Sequence, residues 1–455
     1  PVAETAREGG PGRRRGPAMK AEAPKSARAV ASEIVRRWME TGDFPDRMMA
    51  RVQADRGFVM ELVYGTVKWK RKLEWVLKHC SKRLPEVPLR AYAMVGIHQL
   101  LHMDQIETYA AVNETVAGVK QHFGQSQADF VNAVLRRVLR EKDIVAGELV
   151  RQPLGVRTSH PEELVARWTQ AFGEERTAAL CAWNNTPAEV VLRVNASRMA
   201  MDDFIDRLAA LDIRAVPHPF DRNRFCTLPR GVSVERVPGF EDGWFTVQDP
   251  STTVATDWLD PQPRERILDA CAAPGGKAMA LAEKMNGGGI LTVMDLHEDR
   301  LKTLRENLAR MNYPGVRVVQ GDMEGDRSGC PGGGELKGEV FDGVLLDVPC
   351  MNTGVLRRRP DARWRFSLDR MKHITAHQRA ILDGAAGMVR VKGRLVYSTC
   401  SLEPDEDELL VEDWLRGHPG FRLVRQQKLF PPEAGVDGAY AALIVCEKRE
   451  CREGS

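Results

Sequence analysis

At 455 residues and 43% hydrophobic content, the chain has room for roughly three folded domains of about 150 residues each. Its 66 lysines and arginines nearly cancel its 63 aspartates and glutamates, leaving a net charge of +3, so any basic surface for nucleic acid must come from local clustering. Nine cysteines without paired short spacings argue against a secreted disulfide framework and against a CxxC zinc module; reduced thiols, no metal and a cytoplasmic protein are expected.

Residues 1–25, with Gly9-Gly10 and Arg13-Arg14-Arg15, hold no apolar core of the kind a secretory signal or membrane span requires, and a disordered tail away from any membrane is expected there. Beyond it, Ala27, Val30, Ala31, Ile34, Val35 and Trp38 recur at helical spacing, with Ser26 placed as N-cap and Gly42 as terminator. Helical runs over 57–80, 89–103, 109–123 and 128–140 follow, so 26–145 read as an all-α bundle. Between 150 and 262, helical spacing over 162–172 and 201–211 mixes with strand-like runs over 190–194 and 244–247, which predicts a small α+β domain. From 263 to 450, apolar runs over 267–270, 290–295, 316–320, 341–347, 394–398 and 441–446 alternate with helices, the pattern of an α/β, Rossmann-like domain with a largely parallel sheet covered on both faces. The glycine-rich stretch 325–338 reads as a mobile surface loop inserted after the third of these strands.

The chemistry concentrates at the strand ends. The first strand runs into Asp269-Ala270-Cys271-Ala272-Ala273-Pro274-Gly275-Gly276-Lys277, where small residues let a ligand approach the backbone and free amides at a helix start suit an anion, although glycines there also serve simply to turn the chain. Asp295 ends the second strand, where a carboxylate can accept from both hydroxyls of a ribose or cap the helix over 297–311. Asp322, after the third strand, is placed to reach an adenine amino group, and Arg300 is a further candidate cofactor contact. Asp347-Val348-Pro349-Cys350 closes the fourth strand and Ser398-Thr399-Cys400-Ser401 the fifth, which puts two thiols and a carboxylate on the edge where open α/β sheets bind ligands. Cys181, Cys226 and Cys446, by contrast, read as inert buried side chains.

The stretches DACAAPGGK, DVPC and STCS, in that order and spacing, resemble the RNA cytosine-C5 methyltransferase superfamily. The resemblance implies a class I methyltransferase domain that binds S-adenosylmethionine through Cys271, Ala272, Ala273, Pro274, Gly275, Gly276, Lys277, Asp295, Arg300, Asp322 and Asp347. It also implies that Cys400 is the nucleophile, where DNA enzymes use the Pro-Cys thiol; that Asp347 bonds the N3 and amino edge of cytosine; and that Cys350 helps remove the C5 proton or release Cys400. Such chemistry needs a thiolate, because C5 of cytosine becomes nucleophilic only after addition at C6, and a free thiol of pKa about 8.5 is only roughly 3% ionised at neutral pH.

The resemblance reaches from about residue 26 to 448. Ala110-Ala111-Val112-Asn113-Glu114 and Phe130-Val131-Asn132-Ala133-Val134-Leu135-Arg136-Arg137 look like the NusB-type RNA-binding domain that precedes the catalytic core in Sun/Fmu-type methyltransferases of bacterial 16S ribosomal RNA. Ser159-His160-Pro161 with Trp168, and Leu192-Arg193-Val194-Asn195, look like that branch's connecting RNA-binding region. Small-subunit ribosomal RNA is therefore the implied partner and monomer the default state, with transfer RNA as substrate, or a non-catalytic RNA-binding factor, as alternatives. The loop after Cys350 carries Arg357, Arg358, Arg359, Arg363 and Trp364, expected to hold phosphates and stack on an unpaired base. Val348, Met351-Asn352, Arg363 and Ala278 depart from the family's usual residues.

Overall fold

The computed structural model describes residues 26–53, 55–325 and 334–448, so the expected tail and most of the glycine-rich stretch lie outside the described residues. The chain divides into two compact units, one built from residues up to Thr66 with Val76–Lys142, the other from Val67–Trp75 with Asp143 onward.

The first unit is helical. Its opening helix, Ala27–Thr41, starts where the Ser26 hydroxyl accepts from the Ala29 amide at 3.3 Å and stops at Gly42, whose φ of 73° continues no right-handed helix. Val87–His102 is its central element, buried without a break from Ala91 to Leu100. Gly96 permits that depth, since a Cβ there would meet Leu135 and Thr115 at 3.0 Å. Arg28 is tolerated at the packed face because Gln99 Oε1 (2.6 Å) and Glu114 accept from its guanidinium.

The predicted run over 57–80 is two helices, Arg56–Lys68 and Lys70–Ser81, separated at Trp69. At the break the Val67 carbonyl accepts from Trp364 Nε1 at 2.7 Å, a tertiary bond that periodicity could not announce.

In the second unit, helices Glu162–Phe172 and Glu174–Asn185 pack together. A four-stranded antiparallel sheet follows: β1 (Val191–Val194), β2 (Val216–Pro217), β3 (Phe225–Thr227) and β4 (Phe245–Val247), in the order β2-β3-β1-β4. Helix Met201–Ala209 covers it through Phe204 and Leu208, against Leu192, Val194 and Phe245. The two strands that periodicity missed, β2 and β3, are only two and three residues long.

The C-terminal sheet has seven strands: β5 (Arg266–Asp269), β6 (Ile290–Asp295), β7 (Arg317–Gln320), β8 (Phe341–Asp347), β9 (Val389–Thr399), β10 (Phe421–Leu429) and β11 (Ala439–Cys446), in the order β10-β11-β9-β8-β5-β6-β7. Strands β5 to β9 are parallel, while β11 runs antiparallel between β9 and β10. Alternate side chains feed two cores: Val344 and Leu346 face helices Leu368–Ala386 and Glu408–Arg416, whereas Leu345 faces helices Thr253–Leu259, Gly276–Met285 and Glu298–Arg310. The expected layered architecture is present, with β10 added as an edge strand whose mostly exposed polar residues gave no apolar signal.

Candidate active site

The strand order reverses between β5 and β8, which is the place where an open α/β sheet parts its loops for a ligand. Asp269, Asp295 and Asp347 end β5, β6 and β8 at that edge.

On the β5 side the chain turns through Gly275, with φ of 111° and so little room that a Cβ would sit 2.6 Å from Leu304. Asp295 Oδ2 accepts from the Ala273 amide at 3.2 Å and pairs with Arg300 at 3.3 Å, and Oδ1 accepts from the His297 amide at 3.2 Å. The helix that begins at Glu298 has His297 at its N-cap, so Asp295 closes the turn before the helix instead of capping it. Arg300 also donates to the Ala273 carbonyl, tying helix to turn. Asp322, beyond β7, accepts from the Glu324 amide at 3.0 Å. Cys271 stays protonated, because burial and then the Asp269 charge push its thiol far up.

Sequence reasoning passed over Asp269 itself. It is 1% exposed, and neither carboxylate oxygen makes a hydrogen bond of full geometry. Burial pushes its pKa up to about 7; the Asp347 charge adds to the rise, against smaller opposition from Lys277 and the nearby Cys271 amide. Its signal was there to read, since an acidic residue ends β5 just as Asp295 ends β6. Free buried acceptors beside a tight glycine turn and a strand-end carboxylate fit a ligand that carries both an amino acid and a nucleoside.

On the β8 side, Asp347 stands in register with Ser398 of β9, and this pairing brings the loops that follow both strands together. Cys350 Sγ lies 3.3 Å from Cys400 Sγ. Proximity of Cys400, then burial, raises the Cys350 thiol well above its ordinary range. Asn352, at φ 60°, joins the pair: its Oδ1 accepts from Cys400 Sγ at 3.2 Å and its Nδ2 donates to the Cys350 carbonyl at 2.8 Å. Lys277 crosses from the glycine turn to meet Asp347 Oδ2 at 2.6 Å, and the Ser398 hydroxyl donates to Asp347 Oδ1 at 3.2 Å. Burial opposes the charge on Lys277, but the Asp347 carboxylate outweighs it and holds the ammonium above its usual pKa.

Behind the thiols, Gly354 donates to the Cys400 carbonyl at 3.0 Å and accepts from the Gly438 amide at 2.9 Å. A cavity of about 60 Å³ beside Cys400 is lined by Lys277, Ser398, Thr399, Asp437 and Tyr440. A larger one, about 740 Å³, lies around Trp244, Asn286 and Tyr313 at the opposite end of β6, away from the thiols.

The basic loop corrects the expectation that its side chains present themselves to RNA. Arg363 is fully buried, donating to the Ser159 carbonyl at 3.1 Å, Asn185 Oδ1 at 3.0 Å and the Asn184 carbonyl at 3.3 Å, and burial pushes its guanidinium down to about 9. Arg358 is held by Asp437 (2.5 Å), Asp249 (2.9 Å) and the Glu189 carbonyl (2.6 Å). The Arg357 guanidinium lies 4.3 Å from the ring centroid of Trp183 and is itself buried. Trp364, half-buried, donates to the Val67 carbonyl and carries Lys70 over its ring at 5.0 Å. Arg359 alone among the five is exposed.

Among the described residues no group of three or more His, Cys, Asp or Glu is placed to hold a metal ion, and no helix is long and apolar enough to cross a membrane.

Three family models match the chain: 16S rRNA methyltransferase RsmB/F over residues 256–444, the NusB family over 25–140, and the ferredoxin-like domain of RsmF/B-like methyltransferases over 160–234. A probable ribosomal RNA small subunit methyltransferase B of Synechocystis sp. is 34% identical, across 81% of this chain and 82% of the relative. The ribosomal RNA small subunit methyltransferase B of Pseudomonas putida is 31% identical, across 92% and 97%. The crystal structure of PH0851 aligns with a TM-score of 0.75 at 22% identity, covering 93% of this chain and 100% of its own, which shows a shared fold.

Proposed function

Because the chain belongs to the RsmB/F family of 16S ribosomal RNA methyltransferases, we propose that it moves a methyl group from S-adenosylmethionine to C5 of a cytosine in small-subunit ribosomal RNA, with Cys400 as nucleophile. The observation that carries this reading is the pair of thiols 3.3 Å apart beside the Lys277–Asp347 ion pair, since direct transfer to nitrogen or oxygen needs no covalent thiol.

The turn from Cys271 to Lys277, with Asp269, Asp295, Arg300 and Asp322, would hold S-adenosylmethionine, which when bound supplies a methyl group on a positively charged sulfur. The protein's own part is to make C5 electron-rich. Cys400 would add to C6 as its thiolate, the proton lost from Sγ being balanced by one gained at N3, and Asp347, steadied by Lys277 and Ser398, would accept from N3–H and the amino group and so stabilise the adduct. Cys350 then acts at the C5 proton or in the elimination that frees Cys400.

Incubation with labelled S-adenosylmethionine and small-subunit RNA tests the assignment. Cys400→Ala is expected to transfer no label, and Cys350→Ala to lose turnover while accumulating a denaturant-resistant protein–RNA adduct. Normal methylation by Cys400→Ala sinks the nucleophile, and label confined to transfer RNA overturns the substrate.

A further inference from the structure

Two separate loops hold the thiols 3.3 Å apart. One buried side chain reaches both loops. Glu406 is fully enclosed; its Oε1 accepts from the Met351 amide at 2.9 Å and from Gln378 Nε2 at 3.0 Å, and its Oε2 accepts from the Ser401 hydroxyl. Met351 follows Cys350 and Ser401 follows Cys400, so the carboxylate is tied to the chain one residue beyond each thiol. The same Gln378 amide donates to the Pro349 carbonyl at 2.8 Å, which fixes the first loop on the other side of Cys350 as well. Ser401 continues the link through Thr353 Oγ1 at 3.1 Å, and Thr353 accepts from the Leu402 amide at 2.9 Å. The backbone of Glu406 is itself held, its carbonyl accepting from Tyr397 at 2.7 Å.

We propose that Glu406 is a positioning residue for the methyl transfer proposed above, a two-armed acceptor that sets the distance between Cys350 and Cys400. It touches neither base nor cofactor. Its contribution is geometric, and a displacement of about 1 Å between reacting groups costs on the order of a hundredfold in rate. The acceptor role needs length and oxygen, not charge. In Glu406→Gln the remaining carboxamide oxygen still accepts from Met351 and Gln378, while the amide nitrogen donates to Ser401, whose hydroxyl turns to Thr353. In Glu406→Asp the carboxyl group survives but the shorter side chain cannot span both loops.

The test compares Glu406→Gln, Glu406→Asp and Glu406→Ala for label transfer to small-subunit RNA, each checked by melting and by affinity for S-adenosylmethionine. Glu406→Gln is expected to stay within about threefold of the parent kcat. Glu406→Asp and Glu406→Ala should fall at least tenfold in kcat with RNA KM changed less than twofold. Should Glu406→Ala fail to fold, the order of Gln over Asp still decides. Parent-like kcat in a folded Glu406→Ala or Glu406→Asp, or an Asp variant that outperforms Gln, overturns the proposal. Cys400→Ala, run in parallel, reports separately on the covalent reading: its normal activity would fail that reading whatever the Glu406 variants do.

Discussion

Asp269 shows what burial does to a single side chain. Its pKa in the folded protein is about 7 against an ordinary 3.8, so the folded state binds this proton more tightly than the unfolded chain does. Stability from that proton is complete below about pH 4 and is lost as the pH rises through about 7. Asp269→Asn, neutral throughout, should match the parent in urea melts at low pH and exceed it above pH 7 by a few kcal/mol, since each tenfold change in proton affinity is worth about 1.4 kcal/mol. The same substitution should weaken binding of S-adenosylmethionine measured by calorimetry, because an acceptor facing the cofactor turn becomes a mixed donor and acceptor. Equal melting at both ends of the pH range would refute the buried-proton account. The sequence exposed the strand-end position of this residue but not its lack of partners, which depends on neighbours that arrive from β8 and from the glycine turn.

At the scale of elements, the loop after Cys350 is a clasp more than a docking surface. Arg363 satisfies carbonyls at Ser159 and Asn184, and Trp364 satisfies the carbonyl at Val67, so the loop fastens stretches distant in sequence to the catalytic sheet. Arg363→Ala leaves those carbonyls dry and should cost roughly 2–4 kcal/mol in melting experiments. Arg359→Ala, at the exposed position, should leave melting unchanged and lower the slope of RNA affinity against salt by about one. A pair of results in the reverse order would restore the loop as an RNA-facing surface. Charge and neighbouring tryptophan are visible in a sequence, but the burial of a guanidinium is not. The parallel strands were legible because each holds an apolar run that stops at or just before an acidic or small residue. By contrast β10, with Arg422, Arg425, Gln426, Gln427 and Lys428, needs its partner strand before it can be recognised. Helix Glu174–Asn185 escaped for a related reason, since its buried residues Thr177, Leu180, Cys181 and Asn184 are too mixed in polarity to mark a face.

For the molecule as a whole, the motif order DACAAPGGK, DVPC, STCS led to the expectation of strand ends gathered at one sheet edge, and the seven-stranded topology places Asp269, Asp295 and Asp347 at that edge. The connection that no motif announced is the contact of Gly354 with Gly438. A Cβ on Gly354 would lie 2.7 Å from the Gly438 carbonyl and 2.8 Å from the Cys400 carbonyl. Gly354→Ala should therefore cut kcat at least tenfold while costing roughly 1–3 kcal/mol of stability, read by label transfer and by melting. An alanine variant with parent activity would mean that the Cys400 loop tolerates being pushed.

That contact also orders events in time. Cys400 leaves the ribosome before Gly438 and before Lys428, whose ammonium bonds the Leu402 carbonyl at 3.1 Å, so its loop is synthesised ahead of the hairpin that backs it. Domains generally fold as units behind synthesis. A nascent chain can thus carry every reactive group and still lack a working site. Until that hairpin is made, the Gly438 and Lys428 bonds behind the Cys400 loop are missing, and the two thiols are reached by the chain before the contacts that hold their loops in place.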